Sequence, residues 1–444
     1  MLIRFNVENF LSFNKKSEFS LIANKERRLS THYHKGKGIN ILKSGVIYGA
    51  NASGKSNFVK AIDFSRRVIV NGINKINPVN CHYRLKEGNN SMPTIFQYEL
   101  KSGDKYYSYG FAVILKDSHI IEEWLYEIGQ NKEKKIFDRF VNSKNKHEID
   151  IAIKLSSKAK KRFDVYREDF QDSDNLLFLS EMNRKSINDF SEAVDFKNVF
   201  NWFKKKLTVV FPKSKYTGLN FIGDDDEMSK TFNSFLNVFQ TGIHNVTSEE
   251  IDLESFDIPK QIKEDLTKNI EKAKSIIFEI NGITYSLRQN KQNEYKVKKI
   301  GLEHIDNLGT PIVFDIEDES DGTQRLFDFI PALHEMTKTD SVFIIDELDR
   351  SLHSKLTYGI FEIFLELTKS NESQLIVTTH ESLLLDLELL RRDEIWFIEK
   401  NKNESRLFSL DEFKVRNDKI VRKDYLLGRY GAIPIFKSFK NLNF

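Results

Sequence analysis

Cysteine is almost absent, with Cys81 alone among 444 residues. One thiol can build neither a disulfide framework within the chain nor a cysteine-rich zinc site, and a reduced, cytoplasmic setting fits best. Also missing is any run of roughly 18 apolar residues, the length a membrane-spanning helix needs. The opening MLIRFNVENF carries an early Arg and alternates apolar with polar residues, so it reads as a strand rather than a leader. Charge of one sign is lacking too. The 68 Lys and Arg residues nearly cancel the 65 Asp and Glu, leaving +3, so no global basic field draws the chain to nucleic acid, although a local basic patch stays open. No repeat and no long heptad run is present, which argues against a long coiled-coil arm.

What is present can build a core, with 40% hydrophobic against 30% charged residues. The length suits two or three domain-sized units, or one large core with an inserted lobe. Residues 2–7 alternate as a half-buried strand does, and a second strand is expected around Glu18–Ile22. Gly45–Tyr48 reads as a short buried strand, followed by a turn at Asn51–Gly54 and a helix with Phe58, Ala61, Ile62, Ser65, Val68 and Ile69 at helical spacing. Residues 94–126 read as a β-meander. Stretches 150–210 and 259–279 are Lys/Glu-rich with helical spacing, and 283–300 resembles a hairpin. The last third alternates again: strands at Ile312–Ile316, Ser341–Ile345, Gln374–Thr378 and Glu394–Glu399, with helices from about Gly322, Ser354 and Ser382. Such alternation implies a mostly parallel, helix-covered sheet. The first and last thirds share this grammar, so a split core is expected. Its parts are 1–149, an inserted helical lobe at 150–290, the second core half at 291–400 and a tail at 401–444.

Gly49-Ala50-Asn51-Ala52-Ser53-Gly54-Lys55-Ser56 fits GxxxxGK[ST] at every fixed position, between a predicted strand and a predicted helix. Glycines let backbone N–H groups turn inward around phosphates, and the helix N-terminus adds partial positive charge. Lys55 can reach the β- and γ-phosphate oxygens, and Ser56 can ligate Mg²⁺. SVFIIDELDRSLH (341–353) is an apolar strand ending in two acids, which places Asp346 and Glu347 at the carboxyl edge of the sheet, where open α/β sheets bind ligands. Asp346 suits the Mg²⁺ shell, and Glu347 can polarise an attacking water. QLIVTTHES (374–382) repeats the arrangement with His380, whose neutral imidazole can hydrogen-bond a γ-phosphate and the attacking water. His32 and His34 have no acid or Cys cluster nearby in sequence, so they read as solvated loop histidines rather than metal ligands.

The segment DESDGTQRLF (318–327) is a polar turn that opens a helix. Ser320 stands 26 residues before Asp346, and His380 stands 33 after Glu347. This order resembles the ABC-type ATPases, including their SMC-like and RecF-like branch. More narrowly, NFLSF, YGANASGKSN, YSYGF, ESDGTQRLF, IIDELDRSLH, IVTTHES and LLGRYGAIP resemble the AAA-15/AAA-21 bacterial ATPases. That group is associated with abortive infection, OLD-related (overcoming-lysogenization-defect) and RloA-like anti-phage systems. The match spans nearly all of the chain and is weakest in the middle lobe.

The resemblance implies an α/β fold: an ABC-type (RecF/SMC-head-like) P-loop ATPase core of mixed sheet, with a β-meander lobe and an inserted helical lobe. It implies ATP and Mg²⁺ as cofactors. Gly49, Asn51, Ser53, Gly54, Lys55, Ser56 and Asn57 would cradle phosphate, with Ser56 and Asp346 on Mg²⁺, Glu347 as general base and His380 as switch histidine. Ser320, Gly322 and Gln324 would act on ATP held by a second copy, which implies a homodimer or larger homo-oligomer. The expected role is an ATPase subunit of an anti-phage defence system, sensing a phage protein or nucleic acid and controlling a separately encoded toxic effector. A RecF/SMC-like DNA-binding repair or recombination ATPase is the alternative. A small-molecule kinase would need neither the signature turn nor His380.

Two departures stand out. The ABC pattern after the acids usually ends in Leu-Asp, whereas here Ser351-Leu352-His353 follows. The Gln that helps ligate Mg²⁺ has only weak candidates, Gln97 and Gln130. Only 64 residues follow His380, short for a two-metal nuclease domain, so no intrinsic nuclease is expected. In the tail, Lys423, Arg429 and Tyr430 either dock a partner or nucleic acid or form a basic terminus packed by its aromatics.

Overall fold

The computed structural model describes residues 1–129, 132–144, 146–184, 190–212, 226–270, 275–280, 283–290, 294–413, 415 and 419–434. The chain divides into two units, one of Met1–Pro212, Asp340–Leu348 and Phe361–Phe444, the other of Lys213–Thr339 and Asp349–Ile360.

Among the described residues, the first unit holds two large sheets and a two-stranded pair of Tyr33–Lys35 with Asn40–Leu42. One is an antiparallel meander in the order His147–Ile151, Glu133–Val141, His119–Ile128, Lys105–Ile114, Thr94–Ser102, Leu2–Glu8, Ser17–Ser20. The other runs Leu207–Val210, Val342–Ile345, Gln374–Thr379, Ser44–Tyr48, Ile395–Asn401, Glu404–Ser409. Its first five strands are mutually parallel and the last is antiparallel. Every residue of Ser44–Tyr48 and Gln374–Thr379 is buried, as in a strand covered on both faces. This mixed α/β architecture is the one expected from the sequence.

The helix Lys55–Asn71 buries Phe58, Ala61, Ile62, Ser65, Val68 and Ile69, the face its periodicity predicts. Phe58 meets Phe5 and Phe19 edge-on, with ring centroids 5.8 and 5.3 Å apart, so meander residues pack directly on this helix. Ser65 Oγ and the buried Tyr98 hydroxyl lie 2.6 Å apart beneath it.

The middle of the chain departs from the expected helical lobe at 150–290. Ser157–Asp169, Phe178–Arg184 and Val194–Asn201 are helices, but they belong to the first unit, where Phe163, Phe178 and Phe196 join the meander's core. Leu207–Val210 then supplies an edge strand of the parallel sheet. The second unit is built on a sheet in the order Asn245–Asp252, Tyr295–Ile305, Ile283–Gln289, Ser275–Ile280, with Pro311–Asp315 also pairing with Tyr295–Ile305. The expected hairpin at 283–300 forms. The expected helix over 259–279 is instead the helix Lys260–Ile270 and the strand Ser275–Ile280. SIIFEI is short and β-branched, and Ile276 and Phe278 pack with Leu253, Leu266, Leu287 and Val297.

No helix starts near Ser382. A single 3₁₀ turn, Ser382–Leu384, is followed by irregular chain that buries Leu384, Leu385, Leu387, Leu389 and Leu390. That set is too continuous for one helical face. His32 is another correction. It is 5% exposed, with Nδ1 3.0 Å from Glu394 Oε2, while Ser44 Oγ and the Arg391 N–H also donate to that carboxylate. His34 lies half-buried in the short strand Tyr33–Lys35, 3.5 Å from Glu372.

Candidate functional site

Strand register assembles the site in the first unit. Tyr48 pairs with Thr379, and Ile345 pairs with Val377, all in parallel strands. The chain segments that follow these strands are Gly49–Ser56, Asp346-Glu347 and His380, so three motifs distant in sequence leave the sheet at one carboxyl edge.

Within the phosphate loop, Ala52 (φ 62°) and Gly54 (φ 118°) take left-handed backbone. A Cβ on Gly49 would run into the Ile398 carbonyl and Ser53 Oγ, and one on Gly54 into the Ser405 and Ser12 hydroxyls. Both positions therefore need glycine on steric grounds as well. Gly54 caps Lys55–Asn71 without a side-chain hydrogen bond, leaving the first-turn N–H groups uncapped. Lys55 is buried, and its ammonium donates to the Gly49 and Ala50 carbonyls at 2.7 and 3.2 Å. Ser53 Oγ is buried and has no hydrogen-bond partner among the described residues. Uncapped N–H groups, a buried ammonium and an orphaned hydroxyl on one loop fit a polyphosphate. Ser56 and Asn57 are half-buried, and Asn51 is exposed.

The loop rests on residues that the motif alone does not reveal. Ser405 Oγ donates to the Ser53 carbonyl (2.6 Å) and accepts from Ser12 Oγ (2.8 Å), which in turn accepts from Asn57 Nδ2 (2.9 Å). Ser12 belongs to NFLSF and Ser405 to the last strand hairpin.

The acids are held by Thr378. Its hydroxyl donates to Asp346 Oδ1 (2.6 Å) and accepts from the Glu347 N–H (2.9 Å), while its carbonyl accepts from the Leu348 N–H (3.0 Å). Asp346 is 2% exposed and Glu347 half-buried. Glu347 has φ 52°, a left-handed conformation that costs a non-glycine residue about 1 kcal/mol and persists because the Thr378 contacts over-determine it. An acid of fixed position beside one of fixed backbone can divide metal-shell and proton-accepting work between them. His380 is exposed at the end of its strand, and the next residue, Glu381, is tied back by its N–H to Thr379 Oγ1 at 2.9 Å.

The signature turn lies in the second unit. Ser320 is the N-cap of Asp321–Lys338, accepting from the Thr323 N–H at 3.2 Å. Gln324 Nε2 donates to the Glu319 carbonyl at 2.9 Å, so its amide braces the turn. Ser320, Asp321, Gly322 and Thr323 line a cavity of about 560 Å³ with Ser351 and His353.

Of the two glutamine candidates, Gln97 is taken up within the meander, accepting from Asn6 Nδ2 and donating to Ser108 Oγ, both at 3.4 Å. Gln130 lies outside the described residues. In the tail, Arg429 and Tyr430 both bond Asp424, and the Tyr430 ring stacks on Phe397 at 5.8 Å, whereas Lys423 is exposed. The packed-terminus reading thus accounts for two of the three residues.

His119, His147 and Asp174 bring potential ligand atoms within 4.8 Å of one another. Arg139 Nε donates to His147 Nδ1 at 3.3 Å, which places the ring proton on Nε2, 3.1 Å from Asp174 Oδ1. A ligating imidazole needs the opposite polarity, with its second nitrogen donating to an acceptor. His147 and Asp174 are therefore a hydrogen-bonded pair, with the His119 ring centroid 5.7 Å from that of His147. Burial, reinforced by the Arg139 charge, pushes the His147 pKa down to about 4 and keeps the ring neutral.

A phosphate loop, an acid pair and a histidine on one edge of a parallel sheet define a P-loop nucleotide-binding domain. The chain belongs to the AAA-21 family, described as "AAA domain, putative AbiEii toxin, Type IV TA system", whose model matches residues 46–386. Comparison with curated proteins gave no match. Among solved structures, the chain is similar to the SMC head domain from Thermotoga maritima at 12% identity and a TM-score of 0.38, covering 92% of this chain and 98% of that one. It is also similar to a Smc head domain with an extended coiled coil, bound to the C-terminal domain of ScpA and derived from Pyrococcus furiosus. There the identity is 12% and the TM-score 0.37, with 92% and 96% covered. Among the described residues, no helix is long and apolar enough to cross a membrane.

Proposed function

We propose that the chain is a Mg²⁺-dependent ATPase of the ABC type, whose complete sites form between two copies. The observation that carries this reading is the register placing Gly49–Ser56, Asp346-Glu347 and His380 at one sheet edge. Gly49, Asn51, Ser53, Gly54, Lys55, Ser56 and Asn57 hold the phosphates, with Lys55 exchanging the Gly49 and Ala50 carbonyls for phosphate oxygens. Ser56 and Asp346 hold Mg²⁺, which supplies charge neutralisation at the phosphates. Glu347 accepts the proton of the attacking water, and His380 hydrogen-bonds that water and the γ-phosphate. Ser320 and Gly322 meet the γ-phosphate held by the other copy, while Gln324 braces their turn.

The biological role we infer is a cytoplasmic ATPase subunit of an anti-phage, abortive-infection type system, acting on a separately encoded effector. Family membership supports it, and in this reading any toxic activity belongs to the effector. The reading is tested with purified protein. A Glu347→Gln chain should bind ATP, form a stable dimer and turn over at least about 100-fold more slowly, as loss of a general base demands. Turnover at the parent rate would refute the assignment. Nucleic-acid cleavage by the parent chain alone, absent from the Lys55→Ala chain, would refute the division of labour with an effector.

A further inference from the structure

The segment Ser351-Leu352-His353 stands where the ABC pattern ends in Leu-Asp, and in the second unit it lies against the signature turn. A Cβ on Gly322 would sit 2.9 Å from the Ser351 carbonyl oxygen, so the two turns touch backbone to backbone because residue 322 has no side chain. His353 directly precedes the helix Ser354–Leu367. Its carbonyl accepts from the Leu356 and Thr357 N–H groups (2.8 and 3.1 Å), and its Nδ1 accepts from the Lys355 N–H at 3.2 Å. An accepting Nδ1 fixes the tautomer of the neutral ring with its proton on Nε2. The exposed imidazole thus offers one N–H donor at a cavity it shares with Ser320 and Gly322.

We propose that His353 Nε2–H is a further donor to the γ-phosphate of ATP held by a second copy, beside the Ser320 hydroxyl and the Gly322 N–H. This rests on the composite-site reading above. The electrostatics favour a donor here. Asp321 already brings one carboxylate to the cavity, and an aspartate at position 353 would bring a second toward an anionic phosphate. Imidazole contributes an N–H in its place. The ligand recognised is the terminal phosphate of a nucleoside triphosphate, which a diphosphate lacks, so His353 serves to distinguish ATP from ADP in self-association.

The test uses the Glu347→Gln background, with ATP-driven self-association measured by sedimentation velocity and ATP affinity measured at concentrations where the chains are single. His353→Asp keeps a strong helix cap but exchanges donor for acceptor, and His353→Asn keeps both a cap and an N–H donor. A charge-assisted hydrogen bond predicts that His353→Asp weakens association about tenfold or more, that His353→Asn stays within about threefold, and that single-chain ATP affinity is unchanged. Parent-like association of His353→Asp, or equal weakening by Asp and Asn, would overturn the proposal. If His353→Asp loses ATP binding, His353→Ser, which caps the helix but is too short to reach a phosphate, takes its place with the same expectation. Ser320→Arg separates the two levels. If it leaves association intact, the composite-site reading falls. If it abolishes association while His353→Asp does not weaken it, the role of His353 alone falls.

Discussion

At the residue scale, Thr378 decides the geometry of both acids, contacting Asp346 and Glu347 with one hydroxyl and Leu348 with its carbonyl. Thr378→Val keeps the shape but leaves Asp346 Oδ1 and the Glu347 N–H short of a partner, at roughly 1–3 kcal/mol each. A lowered melting temperature and hydrolysis reduced about tenfold or more, with ATP binding retained, are expected. Unchanged turnover would mean that Glu347 does not need its left-handed backbone. The shared sheet edge of the phosphate loop, the acids and His380 was legible because each follows a short apolar strand. Thr378, Ser12 and Ser405 were not, since their roles arise from pairings such as Ser12 with Ser405, 393 residues apart. His32 was misread for the same reason, its carboxylate partner being 362 residues away.

His147 carries a pH prediction. Its pKa of about 4 in the folded chain lies below the ordinary value of 6.5. The unfolded chain therefore binds the extra proton between these values, and stability contributed by the neutral ring is lost as pH falls from about 6.5 toward 4. Replacing His147 with Gln should flatten the fall in denaturant midpoint over that window. An identical pH profile in the variant would show that the ring is not held neutral.

At the scale of elements, the parallel strands and the Lys55–Asn71 helix were legible because one period of burial dominates each. The strand Leu207–Val210 was not, because four residues following a helix carry too short a pattern, and it is defined by pairing with Val342–Ile345. The supposed helix after Ser382 failed because its leucines are buried all round. The hairpin Ile395–Ser409 acts as a shelf for the phosphate loop through Ser405. Gly54→Ala places a methyl against the Ser405 and Ser12 hydroxyls at φ 118°, so it should weaken ATP binding by about 100-fold or more while the rest of the fold persists. Restoration of binding by Ser405→Gly in the same chain would assign the loss to that contact. Normal ATP affinity in Gly54→Ala would deny it.

At the scale of the whole molecule, both units are discontinuous in sequence. Lys/Glu-rich helical spacing extends over 150–210 and conceals that these helices pack with the meander through Phe163, Phe178 and Phe196. The second unit spans Lys213–Thr339 and Asp349–Ile360, interleaved with the strand that carries the acids. Phosphate loop, acids and His380 thus belong to one unit, and Ser320 and Gly322 to the other. The central claim is that these two sets meet across two copies. It is tested most directly by mixing a Lys55→Ala chain with a Ser320→Arg chain, each inactive alone. Composite sites predict that the mixture regains ATP hydrolysis, with one intact site per mixed dimer. A mixture in which mixed dimers form with ATP yet hydrolysis stays absent would contradict the account.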